Sequence, residues 1–199
     1  MKTENVELMR RAKETMQGQW GISIGAFVVY IIIPMALGII PVLGSIASFL
    51  IAGPFFLGLA IFTLNVSRRN SPKIDQLFEG FDNFGRSLGA YFFISIRVLL
   101  FLILLIIPGI IVGLSYSMTF FILADDKTIG YSEAMNKSKQ MMEGNKLKYF
   151  YLQLRIFGLV LLCILTLGIG LLWLYPYASV CSAKFYDELN GEIQANKTI

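Results

Sequence analysis

The sequence predicts an all-α, polytopic membrane protein with about six transmembrane helices, arranged as three helical hairpins with cytoplasmic amphipathic connecting helices. Two observations support this prediction. The 199 residues are 56% hydrophobic and only 15% charged, whereas soluble domains average about 25% charged residues. Charges are also absent from residues 21–66 and 156–183, and residues 91–124 carry only Arg97. A helix of about 20 apolar residues crosses a bilayer core, so these runs have room for helical hairpins.

The chain reads as a single transmembrane domain, residues 1–199, built from three similar units. The units cover roughly residues 1–66, 67–127 and 128–190, and a short cytoplasmic tail follows at residues 188–199. Pro54, Ser115 and Pro176 recur at an offset of 61 residues, which favours true internal repeats. The alternative is that hairpins of equal length look alike because the bilayer sets their length.

Turns and connectors complete each unit. Turns are predicted at residues 41–45, at Pro108–Gly109 and at residues 167–170, where proline and glycine interrupt the apolar runs. Before each hairpin, apolar residues recur at helical spacing between charged ones, which predicts an amphipathic helix. Such helices lie on a membrane surface or pack under the bundle, and the sequence alone does not choose between these.

Charge placement predicts the orientation. Of the 17 Lys and Arg residues, all but Arg97 and Arg155 lie outside the predicted spans and turns. Because Lys and Arg stay on the cytoplasmic side, both termini and both long loops are expected to be cytoplasmic. Three re-entrant hairpins would give the same charge pattern. Spanning is the preferred interpretation, because a non-helical tip within hydrocarbon leaves backbone groups unpaired.

Arg97 is the first candidate ligand-binding residue. A charge deep in a membrane is costly, so we expect Arg97 to point into the bundle and to contact Tyr116 or Tyr177, or an anionic ligand. Arg155 is a second candidate and lies at a shallower depth. Its alternative role is structural, with the side chain extending to the cytoplasmic headgroups. The adjacent acids Asp125 and Asp126 at a helix end are interpreted as a solvated pair.

The residue inventory argues against an enzyme. Histidine is absent, and neither a G-x-S-x-G nor a P-loop motif occurs. No cofactor, no metal site and no catalytic residue is predicted. The net charge of +4 comes from basic residues that flank apolar runs, so a nucleic-acid partner is not expected.

Several motifs resemble one bacterial membrane family. They occupy residues 20–25, 53–59, 78–81, 107–111, 114–118, 122–125, 165–177 and 185–186. The family is catalogued as a domain of unknown function, number 975, and is loosely similar to the membrane domain of some glycerophosphodiester phosphodiesterases. The resemblance implies a multi-pass protein of the bacterial plasma membrane, and it supplies no activity and no functional residues.

The predicted function is therefore a non-enzymatic one. We expect a plasma-membrane protein that binds lipid or a membrane-active peptide, in envelope homeostasis or peptide immunity. The alternative is a small transporter or channel in which Arg97 binds an anion. Expected partners are membrane lipids, a membrane-active peptide or another membrane protein.

Overall fold

The computed structural model describes residues 4–40, 43–165 and 168–197, and all regular structure in these ranges is helical. The turns predicted at residues 41–45 and 167–170 lie partly outside the described residues. Two short 3-10 helices, Ile74–Leu77 and Glu79–Phe81, separate α3 from α4. The α-helices are α1 (Asn5–Met16), α2 (Trp20–Leu37), α3 (Leu43–Arg68), α4 (Phe84–Leu104), α5 (Ile106–Tyr116), α6 (Thr119–Asp125), α7 (Tyr131–Met141), α8 (Lys146–Ile164) and α9 (Leu171–Lys197).

Five helical segments in the described ranges are long and apolar enough to cross a membrane, which is the pattern of a multi-pass membrane protein. They are Trp20–Leu37, Gly44–Arg68, Phe84–Leu104, Ile106–Asp125 and Lys146–Ile164. Helix α9 is not among them, because its apolar part is followed within the helix by Lys184, Asp187 and Glu188.

The chain reverses between α4 and α5 at Leu105, and the turn predicted at Pro108–Gly109 is therefore wrong by three residues. Leu105 is extended, with φ −158° and ψ 133°, and Pro108 lies in the first turn of α5. Proline is tolerated there because the first helical N–H groups have no intrahelical partner. Gly109 instead permits close packing, since a Cβ at this position would lie 2.5 Å from the side chain of Leu102.

The amphipathic connectors pack under the bundle. Helix α1 buries Leu8, Ala12 and Met16, and α7 buries Ala134 and Ser138. These helices thus pack against the apolar helices through their buried faces, and their charged residues remain on the opposite face. Of the two placements that the sequence left open, this burial favours packing against the bundle.

Glycines bring the 3-10 helices against α3. A Cβ on Gly80 would overlap the carbonyl oxygen of Pro54, and a Cβ on Gly58 would overlap that of Leu77. Gly53 makes a similar approach to α4, where a Cβ would lie 2.6 Å from the carbonyl oxygen of Ser87. Only glycine fits at these three contacts.

The helices pack in a cyclic order. Helix α3 contacts the 3-10 helices, α6 contacts α7, and α9 contacts α1. Helix α2 packs against α3 and α9, α4 against α3 and α5, and α8 against α5 and α9. Helices α3, α6 and α9 meet at the centre, where the rings of Phe121 and Tyr186 stack at 5.7 Å.

The bundle has two chemically different ends. We call the end with α1, the 3-10 helices, α7 and the last turns of α3 and α6 the charged end. The opposite end, with residues 35–40, 101–108, 161–165 and 168–170, is the uncharged end. Helix α9 continues past the charged end to Lys197, so residues 188–197 of the predicted tail are helical.

Candidate functional site

A partly polar cavity of the described bundle lies between its central and outer helices. It has a volume of about 350 Å³ and is lined by residues of α3, α4, α5, α6, α8 and α9. One wall is aromatic, because Phe56 stacks between Tyr91 at 5.7 Å and Phe120 at 5.5 Å. Eight hydroxyl groups complete the lining, from Thr63, Tyr91, Ser95, Tyr116, Ser117, Tyr149, Ser179 and Ser182.

Several of these hydroxyls already donate to their own helices. Thr63 donates to the Leu59 carbonyl at 2.8 Å, Ser117 to the Leu114 carbonyl at 2.8 Å, and Ser182 to the Ala178 carbonyl at 3.2 Å. Such a hydroxyl oxygen can still accept a hydrogen bond, as Ser182 does from the Tyr149 hydroxyl at 3.2 Å, and those of Thr63 and Ser117 remain open to a ligand. The cavity therefore combines apolar surface with groups that accept hydrogen bonds, which suits an amphipathic ligand.

Arg97 lies at the surface of α4 beside this cavity. Its Nη1 donates to the Tyr116 hydroxyl at 3.3 Å, and its guanidinium lies 5.6 Å from the centre of the Tyr116 ring. The expected contact with Tyr116 is therefore present. The expected position inside the bundle is wrong, since Arg97 is exposed. The tyrosine offers both a hydroxyl and a ring face at the bundle surface, so the arginine is paired without entering the interior.

The other two candidate residues lie elsewhere. Tyr177 does not contact Arg97, because its hydroxyl donates to the Met9 carbonyl of α1 at 3.0 Å. Arg155 is exposed on α8, and the described residues provide no hydrogen-bond acceptor for it. Of the four predicted residues, the structure brings together only Arg97 and Tyr116.

A family model matches residues 92–192, and its description is protein of unknown function (DUF975). The chain belongs to this family. The matched residues of the DUF975 region begin in α4, five positions before Arg97, and end in α9. No curated protein and no solved structure matches the chain.

The strongest polar contacts lie at the charged end, and sequence reasoning missed them. Arg68 of α3 binds Asp125 of α6 at 2.5 Å and Asp187 of α9 at 2.8 Å. Asp125 also accepts hydrogen bonds from Tyr186 at 3.0 Å and Asn190 at 3.2 Å. One arginine therefore joins the three central helices. The only sequence signal was the polar residue that ends each predicted second helix.

The interpretation of Asp125 and Asp126 as a solvated pair is incomplete, because each carboxylate reaches solvent and also has its own protein partners. Asp125 belongs to the contact with Arg68, and Asp126 begins the loop after α6. Asp126 accepts hydrogen bonds from the Thr128 hydroxyl at 2.6 Å and the Thr128 amide at 2.9 Å, and these lower the pKa of its carboxyl below the usual value. Arg86 of α4 closes the same corner by donating to the carbonyl groups of Leu123 and Lys127.

Two further contacts tie the connectors to the bundle. Ser138 of α7 donates to the Ser115 carbonyl at 2.9 Å and accepts from the Met118 amide at 3.2 Å, so it bridges the turn between α5 and α6. Lys148 of α8 binds Glu188 of α9 at 2.9 Å. Within the part of the chain that is described, no cluster of three His, Cys, Asp or Glu side chains is arranged to hold a metal ion.

Proposed function

We propose that this protein is a non-enzymatic membrane protein that binds an anionic lipid in the cavity beside Arg97. The observation that carries the proposal is the pairing of Arg97 with Tyr116 at the cavity edge. Because Tyr116 accepts from Arg97, its own proton is free to donate. An ammonium group is repelled by Arg97, whereas a phosphate accepts charge-assisted hydrogen bonds from the arginine and a further bond from the tyrosine.

The cavity size limits what part of the lipid enters. Its volume of about 350 Å³ is near the lower end of the range for small-molecule sites. It holds a headgroup with the first part of one chain, and the aromatic wall contacts that chain. Arg97 lies seven residues, or roughly 10 Å, from the end of α4 at the uncharged end, which favours a lipid of the leaflet on that side.

We further propose six spans in three hairpin repeats, with α9 as the sixth span, in a bacterial plasma membrane. The cyclic contacts support this architecture, because each connector packs against the second helix of the preceding unit, with α1 packing against α9. The 61-residue offset also relates Met16, Leu77 and Ser138, one residue on each connector, and all three have an exposed fraction of 0%. Both termini and the charged end are cytoplasmic in this proposal.

Thiol labelling tests the orientation. With Cys163 and Cys181 replaced by Ala, single cysteines at Ser45, Leu105 and Ile169 should react with an impermeant reagent from outside intact cells, and cysteines at Ser71 and Ser132 should not. Leu105 is chosen over Gly109 because a side chain at Gly109 would collide with Leu102. Labelling of the turns only after the cells are opened would support re-entrant hairpins instead.

Native mass spectrometry of gently solubilised protein tests the ligand. The wild-type protein should retain a phosphate-containing lipid. Arg97→Leu should weaken its retention about tenfold or more, because a charge-assisted hydrogen bond is lost. Arg97→Lys should give an intermediate result, because the planar fork is lost and the charge remains. Arg155→Leu is the matched control and should change nothing.

Retention of a peptide with the same dependence on Arg97 would show that the ligand is a membrane-active peptide and not a lipid. Equal retention by wild type and Arg97→Leu would contradict the proposal for either ligand.

A second candidate is a small transporter or channel that carries an anion past Arg97. The observation that favours it is the series of hydroxyls along the cavity, which extends from Tyr116 to Ser182. Anion flux into vesicles that contain the purified protein distinguishes the two functions. A transporter gives flux that Arg97→Leu abolishes, whereas a lipid-binding protein gives none.

A further inference from the structure

A second cavity of about 320 Å³ lies on the opposite side of α9, between α8 and the beginning of α2. It shares no lining residue with the cavity beside Arg97. Apart from Lys13, it is bordered by apolar and aromatic side chains, among them Trp20, Leu159, Trp173 and Tyr177. We call this cavity the α8–α9 groove. It is separate from the site of the proposed function, and its test is independent.

Lys13 is the one cation that lines the groove, and it is exposed in the last turn of α1. Its neighbours on the same helix are paired, since Arg10 binds Glu7 at 2.7 Å and Arg11 binds Glu7 at 2.9 Å. No carboxylate of the described residues lies within 4.0 Å of Lys13. The groove therefore combines an apolar trough with an unneutralised positive charge at one end.

The groove has a defined direction. Lys13 and Trp20 lie at its charged end, and Gly170 and Cys163 border it near the uncharged end. From Tyr177 to Gly170 is seven residues, which is about 10 Å along the axis of α9. The Tyr177 hydroxyl is already bound to the Met9 carbonyl, so it does not make the trough polar. An extended acyl chain fits this shape and direction.

We propose that the α8–α9 groove binds one acyl chain of an anionic phospholipid, with the headgroup phosphate on Lys13. The lipid belongs to the leaflet at the charged end, whereas the ligand of the Arg97 cavity belongs to the other leaflet. The charge on Lys13 selects an anionic headgroup over a zwitterionic one. The headgroup lies at the level of Trp20, where tryptophan commonly contacts the membrane interface.

The chain provides its own reporter for this site. It contains two tryptophans, and both line the groove. Bromine atoms on an acyl chain quench tryptophan fluorescence only at close contact, so brominated lipids report directly on occupancy. The full-length protein is reconstituted in phosphatidylcholine vesicles that contain a small fraction of brominated phosphatidylglycerol or, separately, of brominated phosphatidylcholine.

The wild-type protein should be quenched more by phosphatidylglycerol, with an association constant about fivefold above that for phosphatidylcholine. Lys13→Gln should reduce this ratio to about one. Lys139→Gln is the matched control, because Lys139 lies in the last turn of α7 and does not line the groove. It should keep the wild-type ratio.

A variant that fills the groove tests the trough itself. Cys163→Phe places a ring among the lining side chains, and it should reduce quenching by both brominated lipids at least twofold. Its melting temperature should match wild type, which separates loss of the groove from loss of the fold. If Cys163→Phe fails to fold, the headgroup ratio of Lys13→Gln decides the proposal alone.

Three results would overturn the proposal. One is equal quenching of the wild type by the two headgroups, and another is an unchanged ratio in Lys13→Gln. The third is quenching that falls as the protein concentration in the vesicles rises, since a second copy of the chain would then cover the groove.

Discussion

The two ends of the bundle are held together by different forces. At the charged end, Arg68 contacts Asp125 and Asp187, and the side chains of these three residues are only 25–33% exposed. At the uncharged end, residues 101–108 make only backbone hydrogen bonds, and large apolar side chains are exposed, such as Leu104 at 77% and Leu165 at 81%. The helices are therefore tied to one another at the charged end, whereas the uncharged end depends on its lipid surroundings.

This difference has a consequence for function. A cavity whose walls are fixed at one end and loosely held at the other opens most easily toward the loose end. Arg97 lies seven residues before the end of α4 beside Leu105, and Tyr116, the last residue of α5, lies midway along the Ile106–Asp125 segment. Lipid entry beside Arg97 is therefore compatible with a fold that stays assembled at the charged end.

The largest expected effect comes from the glycine contacts of α3. Gly58→Ala forces a methyl group onto the Leu77 carbonyl, so we expect a loss of about 3 kcal/mol or more of unfolding free energy, or no folded protein. Gly158→Ala is the matched control, because a Cβ at Gly158 meets no atom within 4 Å. Since alanine favours helix, the control should be neutral or slightly stabilising. Thermal unfolding in mild detergent measures both, and equal melting temperatures would contradict the close packing.

A smaller effect is expected at the contact of the three central helices. Arg68→Ala leaves Asp125 and Asp187 without their shared cation, so we expect a loss of about 1–3 kcal/mol, reduced by partial exposure. Lys127→Ala is the control, because its ion pair with Glu79 has a distance of 3.5 Å and Lys127 is 71% exposed. It should cost less than about 0.5 kcal/mol. A melting temperature for Arg68→Ala that equals that of the control would show that this contact does not hold the helices.

The smallest effect concerns α1 and pH. Hydrogen bonds from Arg10 first and Arg11 second lower the pKa of Glu7 from 4.5 to about 2. Because the folded pKa is below the unfolded one, Glu7 stabilises the fold above pH 4.5, and this contribution is lost as the pH falls from about 4.5 to about 2. Melting temperatures at pH 7 and pH 3 should therefore differ more for the wild type than for Glu7→Gln. Equal differences would show that the ion pairs of Glu7 with Arg10 and Arg11 do not contribute to the stability of the fold.

The sequence predicted the helices better than the contacts between them. Long uncharged runs require helices in a membrane, so α2, α3, α4 and α8 follow from composition and length. Proline was less informative, because Pro108 is compatible with a chain reversal and equally with the first turn of a helix. The choice between these two positions depends on the packing of Gly109 against Leu102, which the sequence does not report.

The site was predicted only in part. Arg97 has one nearby tyrosine on the adjacent helix of its hairpin, which made the contact with Tyr116 predictable. Tyr177 contacts Met9, which is 168 positions away in the chain, and Arg68 contacts Asp187 across 119 positions. Contacts of this kind depend on how distant helices pack against one another, and no local spacing in the sequence reports that packing.

Hydrogen–deuterium exchange of the full-length protein in lipid nanodiscs tests the difference between the two ends most directly. Backbone amides near Arg68, Asp125 and Asp187 should exchange slowest, because opening there requires separation of the central helices. Amides of residues 101–107 should exchange faster, since α4 ends and α5 begins there without a side-chain hydrogen bond or ion pair. Slower exchange at residues 101–107 than around Arg68 and Asp125 would contradict the account.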